Sequence, residues 1–135
     1  MSDIDREKQA REAARRAQEE EIRRKRIQAQ IDDLEEEKSE CEKIIARLNA
    51  AKSEVASAAQ NLASSAFHYT HLPTTAFSGA SANATVQGMS GAMAAVNKSA
   101  TSIMEVSDAI SVQISRIQTY IGVLDREISA LRSSL

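Results

Sequence analysis

From Val86 to the last residue, apolar positions recur at alternating steps of three and four: Val86, Met89, Met93, Val96, Ala100, Ile103, Ser107, Ile110, Ile114, Ile117, Ile121, Leu124, Ile128, Leu131, Leu135. Only Ala100 and Ser107 fall below full size in this ladder. An α-helix turns once per 3.6 residues, so a strict 3.5 repeat keeps one apolar seam toward one partner in a left-handed supercoil. Fifty residues of helix span roughly 75 Å, too long to bury the seam against itself. Another helix must lie along it.

A second ladder precedes it: Ile27, Ile31, Leu34, Lys38, Cys41, Ile45, Leu48, Lys52, Val55, Ala59, Leu62, Ala66. Lys38 and Lys52 interrupt it, and a lysine stem can lie along apolar surface while its ammonium reaches water. Residues 1–26 are charged helix formers, with opposite charges at Glu7–Arg11, Glu12–Arg16 and Glu19–Arg23. Such pairs add only ~0.2–0.5 kcal/mol each. Extended backwards, the ladder puts Ala10, Ala13 and Ala17 on a narrowed seam. Helix one is therefore expected over about residues 5–66, fraying at its tip.

The period stops at Phe67-His68-Tyr69-Thr70-His71-Leu72-Pro73. Pro73 disfavours helix for itself and for Leu72. The turn is placed at about 67–80, with Phe67, Tyr69 and Phe77 plugging the hairpin tip. Thr74, Thr75 and Ser78 are candidate N-caps for a helix two over about 81–135. Gly88 and Gly91 weaken its first turns. A short connection makes long helices antiparallel neighbours. The expected fold class is all-α: one long, coiled-coil-like antiparallel two-helix hairpin over 1–135, packing with partner helices into a bundle. With Leu62 opposite Val86, Leu135 would lie opposite about Ala13.

Composition agrees. Aromatics are 3%, Trp is absent and there is one Pro, which argues against a packed β or α/β core. Most charge lies before Lys52, and neither half is strongly basic, so nucleic acid is not indicated. No apolar run reaches the ~20 residues of a membrane span, and the first residues lack a leader-like apolar core. The expected location is the cytoplasm, with any export by a route that reads no cleaved leader. The single cysteine, Cys41, excludes an intrachain disulfide and reads as a buried structural thiol on the seam.

Helix two carries a further stripe of small and apolar residues beside its seam, including Ala92, Ala95, Val106, Ala109, Tyr120 and Val123. A helix with two apolar stripes and little charge is flanked on two sides, and helix one covers one stripe. These six residues are the candidate partner-binding set. Alternatively, Ala and Ser simply keep the helix cheap to form.

No catalytic, cofactor or metal motif occurs. There is no phosphate-binding glycine loop, nucleophile elbow or Cys/His cluster. His68 and His71 have ligand-like spacing but no third ligand nearby, and read as turn residues. Glu35-Glu36-Glu37 reads as a solvated helix face. A hairpin this narrow is expected to lack the ~300 Å³ pocket that substrates need. The chain reads as an interaction protein rather than an enzyme.

The turn motif Phe77-Ser78-Gly79 stands where the W-x-G hairpin proteins of Gram-positive type VII (Esx) secretion have Trp-x-Gly. The chain resembles the longer relatives of that type, the LXG-toxin-associated α-helical accessory proteins. This resemblance implies a non-enzymatic accessory that binds the helical N-terminal domain of a secreted toxin, alone or with a second small helical accessory protein. The family's export signal is Tyr or Phe followed four residues later by an acid. Here Tyr120 is followed by Leu124, and Asp125 comes one place late. The resemblance thus implies that a partner supplies the signal. The competing readings are a structural coiled coil, such as a receptor hairpin or a phage or filament component, and a homodimeric four-helix bundle.

Overall fold

The computed structural model describes residues 2–70 and 79–135, with side chains for 2–65 and 87–135. The two ladders form two helices, α1 (Asp3–Thr70) and α2 (Gly79–Ser133). They pack against each other as an all-α hairpin, and the described residues include no strand. Both helices run slightly beyond the expected bounds. Ser2 caps α1: its Oγ accepts from the Asp5 amide at 3.2 Å and donates to the Asp5 carboxylate at 2.8 Å. This cap satisfies the Asp5 amide, and Asp3 and Asp5 in the first turn suit the helix dipole, so the tip begins as helix. Phe77, Pro73, His71 and the expected N-caps Thr74, Thr75 and Ser78 lie outside the described residues, while Gly79 opens α2.

The chain divides into two units. Unit 1 comprises Met1–Lys43 and Ile117–Leu135; unit 2 comprises Ile44–Arg116. In unit 1 the seam is closed: Ile31, Leu124 and Ile128 are 1%, 2% and 4% exposed, and Cys41 is 9% exposed. Polar side chains bridge the helices beside it. Arg23 Nη1 donates to the Ser134 carbonyl at 2.7 Å, Arg132 pairs with Glu35, and the Tyr120 hydroxyl donates to Glu37. The Lys38 ammonium meets Asp125 at 2.8 Å. Low numbers on α1 meet high numbers on α2, so the pairing is antiparallel.

These bridges refine three expectations. Glu35, Glu36 and Glu37 are exposed, as expected of a solvated face, and Glu35 and Glu37 also reach across to α2. Lys38 meets a carboxylate as well as water. The register also moves: Leu135 lies beside Glu21, Arg24, Lys25 and Gln28 rather than Ala13, and is 44% exposed rather than on the seam. The cause is physical. At this setting four long side chains of α1 have partners on α2, whereas the alanines at 10, 13 and 17 offer little area to hold the alternative. Residues 2–19 are consequently exposed throughout.

On this exposed segment Glu12 pairs with Arg15 and Arg16, and Arg15 with Glu19. Further on, Glu20 pairs with Arg23 and Arg24, and Glu21 with Lys25. Of the pairs expected from spacing, Glu12–Arg16 forms; Glu19 turns to Arg15, Arg23 turns to Glu20, and Glu7–Arg11 does not form.

In unit 2 the seam residues Ile45, Leu48, Val55, Ala59 and Leu62 of α1, and Met89, Met93, Val96, Ala100, Ile103, Ser107, Ile110 and Ile114 of α2, are all half-buried. Among the described residues of this unit none is fully buried. One ladder position is corrected: Ala51 is half-buried and Lys52 is exposed. Both follow Leu48 by about one turn, and the residue without a charge to solvate takes the inner place.

Candidate partner-binding flank

Each helix has two strips bordering its seam. Counting by sevens, one strip carries Ile44, Ala51 and Ala58 on α1, and Ala92, Ser99, Val106 and Gln113 on α2. In antiparallel helices these equivalent positions lie on the same side. Within unit 2 that side holds an open groove of about 260 Å³ lined by Val55 and Ala58 of α1 and Ser102, Ile103 and Val106 of α2. Val106 is 51% exposed there, and Ile44 is also exposed. The side chains beside the groove are too short to fold over the seam, which explains why the seam stays half-buried.

The six residues expected to bind a partner divide between the units. Ala92, Ala95, Val106 and Ala109 belong to unit 2; Ala92 is half-buried and the other three are exposed. Tyr120 and Val123 belong to unit 1. Tyr120 is exposed, but its hydroxyl is committed to Glu37, and Val123 is half-buried. Sequence reasoning overlooked the α1 side of the groove. Its signal was available, because Ile44, Ala51 and Ala58 repeat at seven-residue intervals beside the α1 ladder.

The electrostatics of unit 1 follow from its bridges. The Asp125 carboxylate, hydrogen-bonded to Lys38, holds the ammonium above the usual lysine range. The Glu37 carboxylate, accepting from Tyr120, raises the phenol above its usual value, and partial desolvation adds to this. Arg23 lowers the Glu20 pKa through its hydrogen bond. The first two shifts mark pairing between the helices, and the third marks pairing along α1.

Among the described residues no group of three His, Cys, Asp or Glu could hold a metal ion, and no helix is long and apolar enough to cross a membrane. His68 lies within α1, and His71 lies outside the described residues. The expectation that concavities would stay below substrate size is corrected. One concavity of about 500 Å³ lies beside Glu21, Arg24, Lys25, Gln28 and Leu135. It is an open furrow between long side chains, which cannot enclose a ligand as substrate pockets do. No protein-family model, curated protein or solved structure matches the chain.

Proposed function

We propose that the protein is a non-enzymatic accessory that binds the helical N-terminal domain of a type VII-secreted LXG toxin and helps stabilise or deliver it for export. The observation that carries this reading is the half-buried seam of unit 2, with an uncharged groove at Val55, Ala58, Ser102, Ile103 and Val106 beside it. An apolar helix face left in water favours association with a further apolar helix. Ala and Ser on the flank let helix backbones approach closely. The toxin class comes from the resemblance at Phe77-Ser78-Gly79 together with the hairpin architecture. With Leu124 at the acid position and Asp125 engaged by Lys38, the chain acts as the scaffold member, and its partner carries the export signal.

Co-expression with a toxin's N-terminal domain, followed by size exclusion, tests this. Co-elution that is lost in Val106→Glu, with helicity unchanged by circular dichroism, is the expected outcome. Separate elution of the wild-type chain would remove the proposal.

A further inference from the structure

The groove of unit 2 lies in a flank whose charge is one-sided. Between Val55 and Ser65 on α1, and between Gln87 and Asn97 on α2, the sequence holds no charged residue. Cations stand at the opposite end. Arg47 precedes Ala58 by eleven residues, about three helical turns, and so shares its side of α1. Arg116 follows Ser102 by two heptads and so shares its side of α2. Ala58 and Ser102 both line the groove, and the helices run in opposite directions from it. Both arginines therefore fall beyond the same end of the groove, each roughly 12–15 Å along its helix from Val55 or Val106. Both are exposed, and among the described residues no ion pair engages either. Glu54, four residues before Ala58, stands beside the groove itself, so the cationic region is confined to that end. Lys98 and Glu105 share one helical position farther round α2 and offset each other, while Lys52 and Asp108 lie on the other side by the same count.

We propose that the groove takes a partner helix with an uncharged stripe of apolar and small residues and an acidic end, its carboxylates lying between Arg47 and Arg116. The uncharged stretch covers Val55, Ala58, Ser102, Ile103 and Val106. Ile44, exposed two heptads before Ala58, meets the same helix next to the arginines. Covering the half-buried seam supplies the apolar drive. The charges supply selection. A helix with carboxylates along its whole stripe is opposed by Glu54, and one with a cationic end is opposed by the two arginines. The acidic end also fixes which way the helix lies, because the reversed helix leaves its carboxylates over the uncharged end without a partner.

This inference rests on the proposed function for the use of the flank and adds the chemistry of the helix that fills it. The test is fluorescence anisotropy of two labelled synthetic helices of about 20 residues, the length of the flank, titrated with the full chain. They share an Ala/Leu stripe and differ only in ending in glutamates or in lysines. The glutamate-ended helix is expected to bind about tenfold or more tightly at low salt, and added salt should narrow the difference. Arg47→Glu/Arg116→Glu, with helicity unchanged by circular dichroism, should reverse the preference. Equal binding of the two helices, a preference that the double variant leaves unchanged, or no binding of either overturns the inference. So does a dimer, by sedimentation equilibrium, that Val106→Glu abolishes and the glutamate-ended helix leaves intact, since a second copy then holds the flank. A toxin domain captured as strongly by Arg47→Glu/Arg116→Glu as by the unmodified chain overturns this inference alone. Charge-selective binding of the synthetic helices by a chain that captures no toxin domain supports it and removes only the proposed function.

Discussion

The two units are built from the same pair of helices and the same heptad repeat, yet only unit 1 closes its seam. Ile31, Leu124 and Ile128 are buried there, while their unit 2 counterparts Leu48, Ile103 and Ile110 are half-buried. The difference lies beside the seam. Unit 1 borders it with Arg23, Glu35, Glu37, Tyr120 and Arg132, whose long side chains reach across the helices. Unit 2 borders it with Ala51, Ala58, Ser99, Val106 and Ser111. A heptad ladder therefore brings two helices together, but flanking side-chain length decides whether the seam is closed or left half-buried.

The largest expected effect is in the closed seam. Leu124→Ala should cost about 3 kcal/mol, since a buried leucine leaves a cavity that its neighbours fill only in part. Ile103→Ala in unit 2 should cost less than half as much, because its site is already open to water. Urea titrations of both variants make the comparison, and equal losses would break it.

Next come the glycines. A Cβ at Gly88 or Gly91 meets nothing within 4 Å. Gly88→Ala and Gly91→Ala should each stabilise unit 2 by about 0.5–1 kcal/mol through helix propensity. Hydrogen exchange should show this as slower exchange in unit 2, which in the unmodified chain should exchange faster than unit 1.

Tyr120→Glu sharpens the contrast further. It places a carboxylate beside Glu37 and should lower the melting temperature, whereas Val106→Glu should leave melting nearly unchanged and act on association. If the two behave alike, the units do not differ as described.

Alkaline pH should act mainly on unit 1. Tyr120 and Lys38 both have folded pKa values above their ordinary ones, so each contributes stability that is complete below its unfolded pKa. That contribution declines as pH rises above about 10 and is gone beyond the raised folded values. In Tyr120→Phe/Lys38→Met, the decline of the thermal midpoint above pH 10 should be shallower.

The smallest effect is expected from deleting residues 2–19. They are exposed throughout, and their ion pairs lie in water. The melting temperature should hardly move. A large drop would mean that Ala10, Ala13 and Ala17 have a partner after all.

Much of the fold was legible because helical periodicity is a local property. Every α2 ladder residue from Met89 to Leu131 is buried or half-buried, and α1 follows from Ile27 to Leu62 except that Ala51 replaces Lys52. Of the flank residues expected on α2, Val106 lines the groove. Its α1 wall was overlooked because Ala58 is not conspicuous until placed beside Ile103 and Val106. Nothing local distinguished Glu35 and Glu37, which find Arg132 and Tyr120 some 97 and 83 residues away, from glutamates facing water.

By itself the sequence determined that there are two helices, which stripe each presents inward, and that a short connection folds one back along the other. Spacing along one chain suffices for that, since each residue's place on its helix depends only on counting. Tertiary structure alone decided how far one helix slides along the other. A repeating ladder matches itself again after every seven-residue slip, so apolar periodicity cannot choose among settings. Unique long-range partners, Arg23 with Ser134 and Lys38 with Asp125 among them, make that choice. They thereby leave residues 2–19 in water and bring Val55 to Val106.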